Sequence, residues 1–161
     1  MATALGVLLA GAAHAPGRGP RLVWNPSASA PVGLYRVTAV PPRPGELALV
    51  RPGPVLGTWL AGRGYLAPRT PLLKHVAAGP GQTVCRRGAL IRIDGRVAGR
   101  ARTRDRRGRP LPAWTGCRRL GASEVFLLNP AADSLDGRYF GPTPGAQLIG
   151  RARPVFVAGR V

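Results

Sequence analysis

A mainly β domain with one short helix is the fold class this sequence predicts, on three observations. Eighteen prolines and 23 glycines among 161 residues interrupt the chain too often for long helices. The apolar residues come in short runs closed by Gly, Pro, Asn or Asp, the pattern of strands and turns. The length suits one compact core that depends on neither disulfides nor metals.

Taken in order, residues 2–13 are apolar and uncharged but too few to cross a bilayer core of about 30 Å. We divide the chain into an N-terminal hydrophobic segment, 1–16, and a domain, 17–161. The segment reads as a signal-peptide core ending in Ala13-His14-Ala15, as a truncated anchor, or as a buried start of the domain. Gly33–Ala39 and Glu46–Val50 read as strands around the turn Pro41-Pro42-Arg43-Pro44-Gly45, and a short helix fits between Pro54 and Leu66. Lys74 opens a strand ended by Gly79-Pro80-Gly81. Alternation puts Leu72, Lys74 and Val76 on one face, and Leu73 and His75 on the other. Leu90–Ile93 and Arg96–Ala98 flank Asp94-Gly95, which suits a type I′ hairpin turn. Val125–Leu128 is an apolar strand ended by Asn129-Pro130. Gln147–Ala152 and Val155–Val157 make a terminal strand pair or one long bent strand. No internal repeat and no second domain is visible.

The formal charge is +18, and it is carried by 23 arginines and a single lysine. Arg100, Arg102, Arg104, Arg106, Arg107 and Arg109 form the densest cluster, with no aromatic residue between them. Single-strand binders need such aromatics as stacking platforms, and no zinc-finger, homeodomain or helix-turn-helix pattern occurs. The cluster therefore reads as a solvated loop, and nucleic acid is not expected as a partner. Cys85 and Cys117, with only His14 and His75 to help, are too few for a zinc site, so neither metal nor cofactor is expected. In an oxidising compartment the two cysteines would form one disulfide worth about 3–4 kcal/mol; otherwise they are two unrelated buried thiols.

The lone lysine, Lys74, sits in the apolar run Pro71-Leu72-Leu73-Lys74-His75-Val76. Arginine cannot lose its proton at working pH, whereas a desolvated lysine becomes a neutral amine and a base. Serine is nearly as scarce: Ser27, Ser29, Ser123 and Ser134 are all there are. Two of them lie in Asn25-Pro26-Ser27-Ala28-Ser29-Ala30-Pro31-Val32-Gly33, where small neighbours leave room for a polypeptide to approach a hydroxyl held by rigid prolines. Read alone, serines in such a segment more commonly fill turn and strand-capping roles.

Three segments, in this order, resemble the signal peptidase I-like family of serine–lysine peptidases, specifically its conjugative-transfer (TraF-type) branch. Asn25 to Tyr35 is similar to the nucleophile box, Leu73-Lys74-His75-Val76-Ala77-Ala78-Gly79-Pro80-Gly81-Gln82 to the base box, and Ser134-Leu135-Asp136-Gly137-Arg138-Tyr139-Phe140-Gly141 to a third signature. Leu111-Pro112-Ala113-Trp114 fits the same branch. The resemblance implies a signal-peptidase-like (LexA-like) β-fold and a peptidase domain. It makes Ser29 the nucleophile, Lys74 its general base, and Ser27 with the Ser29 backbone N–H the oxyanion hole. Ser134 would orient the Lys74 amine, and Asp136 with Arg138 would form a supporting ion pair. Lys74 would need a pKa lowered by burial beside Leu72 and Val76, which requires that no carboxylate approach it.

Ala30 stands where housekeeping signal peptidases carry methionine, and one residue separates Ser29 from Pro31; both favour the specialised branch. Gly137 replaces a small polar residue, a change expected to be harmless. The resemblance implies a precursor protein as substrate, a conjugative pilin cut after small residues, at the cytoplasmic membrane or in the periplasm, with other transfer-apparatus proteins as partners. Two other readings are an arginine-rich, non-enzymatic transfer component and a self-cleaving repressor-like protease. The latter would need a DNA-binding domain ahead of the serine and lysine, and no such domain is visible before Asn25. A serine–histidine hydrolase is disfavoured because His75 lies on the strand face opposite Lys74.

Overall fold

The computed structural model describes residues 22–158, so the segment 1–16 and His14 lie outside the described residues. It is mainly β. Leu22–Asn25 (β1) and Gly33–Thr38 (β2) form a hairpin, followed by Leu47–Val50 (β3), the helix Pro54–Gly62 (α1) and Leu72–Ala78 (β4). Thr83–Arg87 (β5), Leu90–Ile93 (β6), Arg96–Arg100 (β7) and Gly116–Arg119 (β8) come next. Glu124–Leu127 (β9), a second short helix Gly137–Phe140 (α2), Thr143–Pro144 (β10) and Leu148–Val157 (β11) complete the chain.

Seven strands form one sheet in the order β1-β2-β11-β3-β4-β9-β10, and four form another in the order β7-β6-β5-β8. The two sheets share apolar packing: Ala78, Phe126 and Leu128 from the large sheet's strands and their ends meet Val84 and Ile91 of the small one. A second packing centre gathers Tyr35, Val37, Leu49 and Leu73 on one face of the large sheet, and a third gathers Ala48, Val50, Val76 and Leu127.

Several sequence expectations meet the structure directly. Asp94 and Gly95 both have positive φ, as a type I′ turn requires, and the Asp94 carboxylate also accepts from Thr83 N (2.8 Å) and Gln82 Nε2 (2.8 Å). The terminal segment is one long strand, bent where its register against β2 shifts between Pro154 and Phe156. Gly33 sits where an added Cβ would come within 2.1 Å of Phe156 O, so only glycine lets β11 pass this close to the nucleophile-box hairpin.

Other elements depart from expectation. Among the described residues there are two α-helices rather than one, because Asp136 caps Gly137–Phe140 by accepting from Arg138 N. Strands β1, β5 and β8 are short and show no alternation of apolar and polar residues, and their pairing comes from tertiary neighbours rather than periodicity. The arginine-rich segment is not simply a solvated loop. Asp105 accepts from Arg107 N (2.9 Å) and Arg109 N (2.8 Å), and the Arg109 guanidinium lies 4.6 Å from the Tyr65 ring centroid. The aromatic partner, Tyr65, comes from the turn after α1 and stacks on Trp59 of that helix, which a local reading of the cluster could not reveal. Cys85 and Cys117 face each other across β5 and β8 and are joined by a disulfide.

Candidate active site

The loop between β1 and β2 carries Ser27 and Ser29, and Asn25 fastens it. Buried Asn25 donates through Nδ2 to Ser27 O (2.9 Å), Ala30 O (3.2 Å) and Pro31 O (3.0 Å), and its Oδ1 accepts from Ser27 N (3.2 Å). Tyr35, fully buried beneath, donates its hydroxyl to Pro31 O (2.6 Å). A small loop is thereby held by one asparagine and one tyrosine instead of by regular pairing.

Lys74 lies in the middle of β4, paired with Ala48 of β3, on the face that also carries Leu72 and Val76. It is 4% exposed and donates from Nζ to Ser134 Oγ (2.8 Å), itself buried. Burial pulls the Lys74 amine down from 10.5 to about 8; the Asp136 carboxylate works against this shift, the Arg138 guanidinium with it, and Asp133 against it. The expectation that no carboxylate approaches therefore needs correction. Asp136 acts on the amine, but its charge is shared with Arg138 (Nε to Oδ1, 2.9 Å), so burial dominates.

The loop 129–136, which presents Ser134, is closed by that buried ion pair. Arg138 donates through its guanidinium to Asn129 O (2.5 Å), Ala131 O (3.2 Å) and Ala132 O (3.1 Å), while Asp136 Oδ2 accepts from Asn129 N (3.0 Å). Asn129 continues the chain of bonds into β4, accepting through Oδ1 from His75 N (2.8 Å) and donating from Nδ2 to Leu73 O (3.2 Å). His75 faces Asn129 through Nδ1 at 3.2 Å, away from Lys74. Gly137 packs so tightly that a Cβ would meet Leu127 O at 2.7 Å and the Phe126 ring at 2.8 Å; here glycine is required, not merely tolerated.

Ser27, Ser29, Lys74 and Ser134 all face one cleft of about 480 Å³, with Leu49, Leu72 and Leu73 supplying apolar wall. Within it, the Ser29 hydroxyl pairs with Ser27 Oγ (3.0 Å), and Ser29 N donates to the same oxygen (3.3 Å). The two serines expected to bind an oxyanion are thus adjacent and bonded to each other. Lys74 Nζ bonds Ser134, and no hydrogen bond joins it to Ser29 among the described residues.

The sequence alone assigns no role to four supporting residues: Asn25, Asn129, Arg86 and Trp114. Arg86, buried on β5, donates to Arg138 O (2.5 Å), and Trp114 Nε1 donates to Gly137 O (2.9 Å), so the small sheet and its long loop hold α2 in place. The two asparagines each precede a proline, a local sign of an Asx-type turn; nothing local marks Arg86 among so many arginines.

The sequence profile of the family "Signal peptidase, peptidase S26" matches residues 1–157. The chain is 35% identical to the plasmid transfer protein TraF of Escherichia coli, over 92% of this chain and 88% of that protein. It is 37% identical to the conjugal transfer protein TraF of Agrobacterium fabrum, over 82% of this chain and 80% of that one. A solved signal peptidase I from Enterococcus faecalis V583 is a distant likeness at 16% identity and a TM-score of 0.41, covering 71% of this chain and 98% of that one. A mainly β fold with a peptidase-family sequence is the class defined here. The chain belongs to the S26 signal peptidase family, and its relatives are TraF transfer proteins.

Proposed function

We propose that the chain is a serine endopeptidase of the signal peptidase type, with Ser29 as nucleophile and Lys74 as general base. The observation that carries this is a buried lysine at about 8, bonded to a buried serine, in the cleft that Ser29 enters. Burying an amine costs folding free energy that a purely structural position does not repay, whereas a base near neutrality needs that cost.

In the proposed reaction neutral Lys74 removes the Ser29 proton, and the Ser29 oxygen attacks the scissile carbonyl. Bonds of this kind are often long before substrate arrives and tighten in the complex. Ser134 keeps the amine from swinging away. Rotation of the exposed Ser27 hydroxyl frees it and the Ser29 N–H to donate to the developing oxyanion, each donor worth about 3–4 kcal/mol. The lysine ammonium then gives its proton to the leaving amine, and water hydrolyses the acyl-enzyme by the reverse route.

The TraF relatives support a role in conjugal transfer; the substrate we propose is a pilin precursor cut after small residues, met in the periplasm or at the periplasmic face of the cytoplasmic membrane, with other transfer-apparatus proteins nearby. An apolar row supports membrane contact: Trp24, Leu34 and Phe156 align across β1, β2 and β11, and Trp24 and Phe156 are 53% and 59% exposed. Leu22, Arg36 and Arg153 form the neighbouring row, so guanidinium groups flank the strip where anionic headgroups would lie.

The test is incubation of the protein with a peptide carrying small residues one and three places before the cut, read by mass spectrometry. Wild type is expected to give one defined cut, and Ser29→Ala to lose at least about a thousandfold in rate. Equal cutting by folded Ser29→Ala would remove Ser29 from the role.

A further inference from the structure

Beside the Ser29–Lys74 cleft lies a second hollow of about 300 Å³ that the peptidase reading does not use. The two are continuous: Tyr65, Arg106, Asp133 and Leu135 line both. Its remaining wall is largely the arginine-rich segment, so five arginines, 102, 104, 106, 107 and 109, face it against two carboxylates, Asp105 and Asp133.

Neither carboxylate is free to neutralise the rest. Asp105 is occupied by Arg107 N and Arg109 N, by Arg109 Nε (2.7 Å) and by the Tyr65 hydroxyl; Asp133 is paired with Arg106. The guanidinium groups of Arg102 and Arg107 make no hydrogen bond or ion pair among the described residues, and both residues are exposed. The segment is nevertheless fixed. Arg109 donates to Arg63 O (2.8 Å), Arg63 donates to Pro110 O (2.8 Å), and Arg102 N donates to the Tyr139 hydroxyl (3.1 Å).

Unneutralised guanidinium groups carried on a fixed backbone at one end of a peptide cleft select carboxylates, for which the planar fork of arginine is suited. Resting on the peptidase reading, we infer that the arginine segment is a subsite for a carboxylate of the precursor, borne by Asp or Glu side chains flanking the cut or by the chain terminus. Continuity with the cleft favours the bound polypeptide itself over nucleic acid or lipid. Arginine lines the hollow because its charge is permanent, which keeps carboxylate selection independent of the proton that Lys74 must lose.

The experiment compares peptides sharing one small-x-small cut: an uncharged amidated peptide, versions with two glutamates before or after the cut, and a version with a free C-terminal carboxylate. We expect at least one acidic version to exceed the uncharged one in kcat/KM by roughly tenfold at low salt, mainly through KM. That ratio should collapse toward one in about 0.5 M salt and in Arg102→Gln/Arg107→Gln. In Arg102→Glu/Arg107→Glu the preference should turn to peptides carrying lysine. Which acidic peptide gains separates side-chain carboxylates from the terminal one.

Binding of the same labelled peptides to Ser29→Ala protein reads the subsite without cleavage, so no cutting by the wild type with Arg-dependent binding intact would overturn the peptidase reading alone. No acidic advantage, an advantage unchanged in the double variants, or Arg-dependent binding of anionic vesicles or single-stranded DNA that acidic peptides do not compete with would overturn the subsite.

Discussion

In the proposed mechanism Lys74 holds the chemistry, and its burial carries a cost. Its pKa of about 8, against 10.5 in the unfolded chain, means that the unfolded state keeps a proton that the native state has lost between these pH values. The stability penalty is therefore full below pH 8 and is recovered as pH rises from 8 toward 10.5. Lys74→Met should be inactive yet more stable than wild type at pH 7 by about 1–3 kcal/mol, a gap that narrows as pH approaches 10.5; denaturant titration at both pH values checks this. Ser134→Ala should keep the fold but lower kcat by roughly tenfold to a hundredfold, because the amine loses the bond that orients it. Lys74 and the serines were legible because each type is scarce here and arginine cannot replace a base. The hydrogen-bond state of Ser27 and Ser29 was not legible, because it depends on how the loop closes over Asn25.

At the scale of elements, the loop 129–136 and helix α2 act as one clamp on β4. The Asp136–Arg138 pair is almost wholly buried, so Asp136→Asn leaves a buried guanidinium without its counter-charge and should cost about 3–5 kcal/mol in a thermal or denaturant unfolding experiment. Gly137→Ala should cost about 1–3 kcal/mol, since its Cβ collides with backbone and with the Phe126 ring. Strands made of a short apolar run closed by turn residues, such as β4, β6 and β9, could be read from sequence. Strands β1, β5 and β8 could not, because each is set by its neighbour's ladder and none has an alternation of its own. Helix α2 is a single turn whose cap, Asp136, had been read only as an ion-pair partner.

Over the whole molecule, the small sheet buttresses the site through Arg86 and Trp114, and the Cys85–Cys117 disulfide joins two of its strands. Replacing both cysteines with serine should lower Tm by about 5–10 °C, as a scanning calorimeter would read. Phe156→Ala should reduce partitioning onto anionic vesicles several-fold without changing cleavage of a soluble peptide; unchanged partitioning would remove this face from membrane contact. Charge was legible as a total but not as a distribution, because Tyr65 and Asp133, which organise the arginine segment, are distant in sequence. The most direct test of the account is cleavage of a small-x-small peptide by wild type and by folded Lys74→Arg across pH 6 to 10. Wild-type kcat/KM should rise through about pH 8 to a plateau, as Lys74 loses its proton, and Lys74→Arg should be inactive throughout. Cleavage by Lys74→Arg with the same pH profile would contradict the account, because some other residue would then be the base.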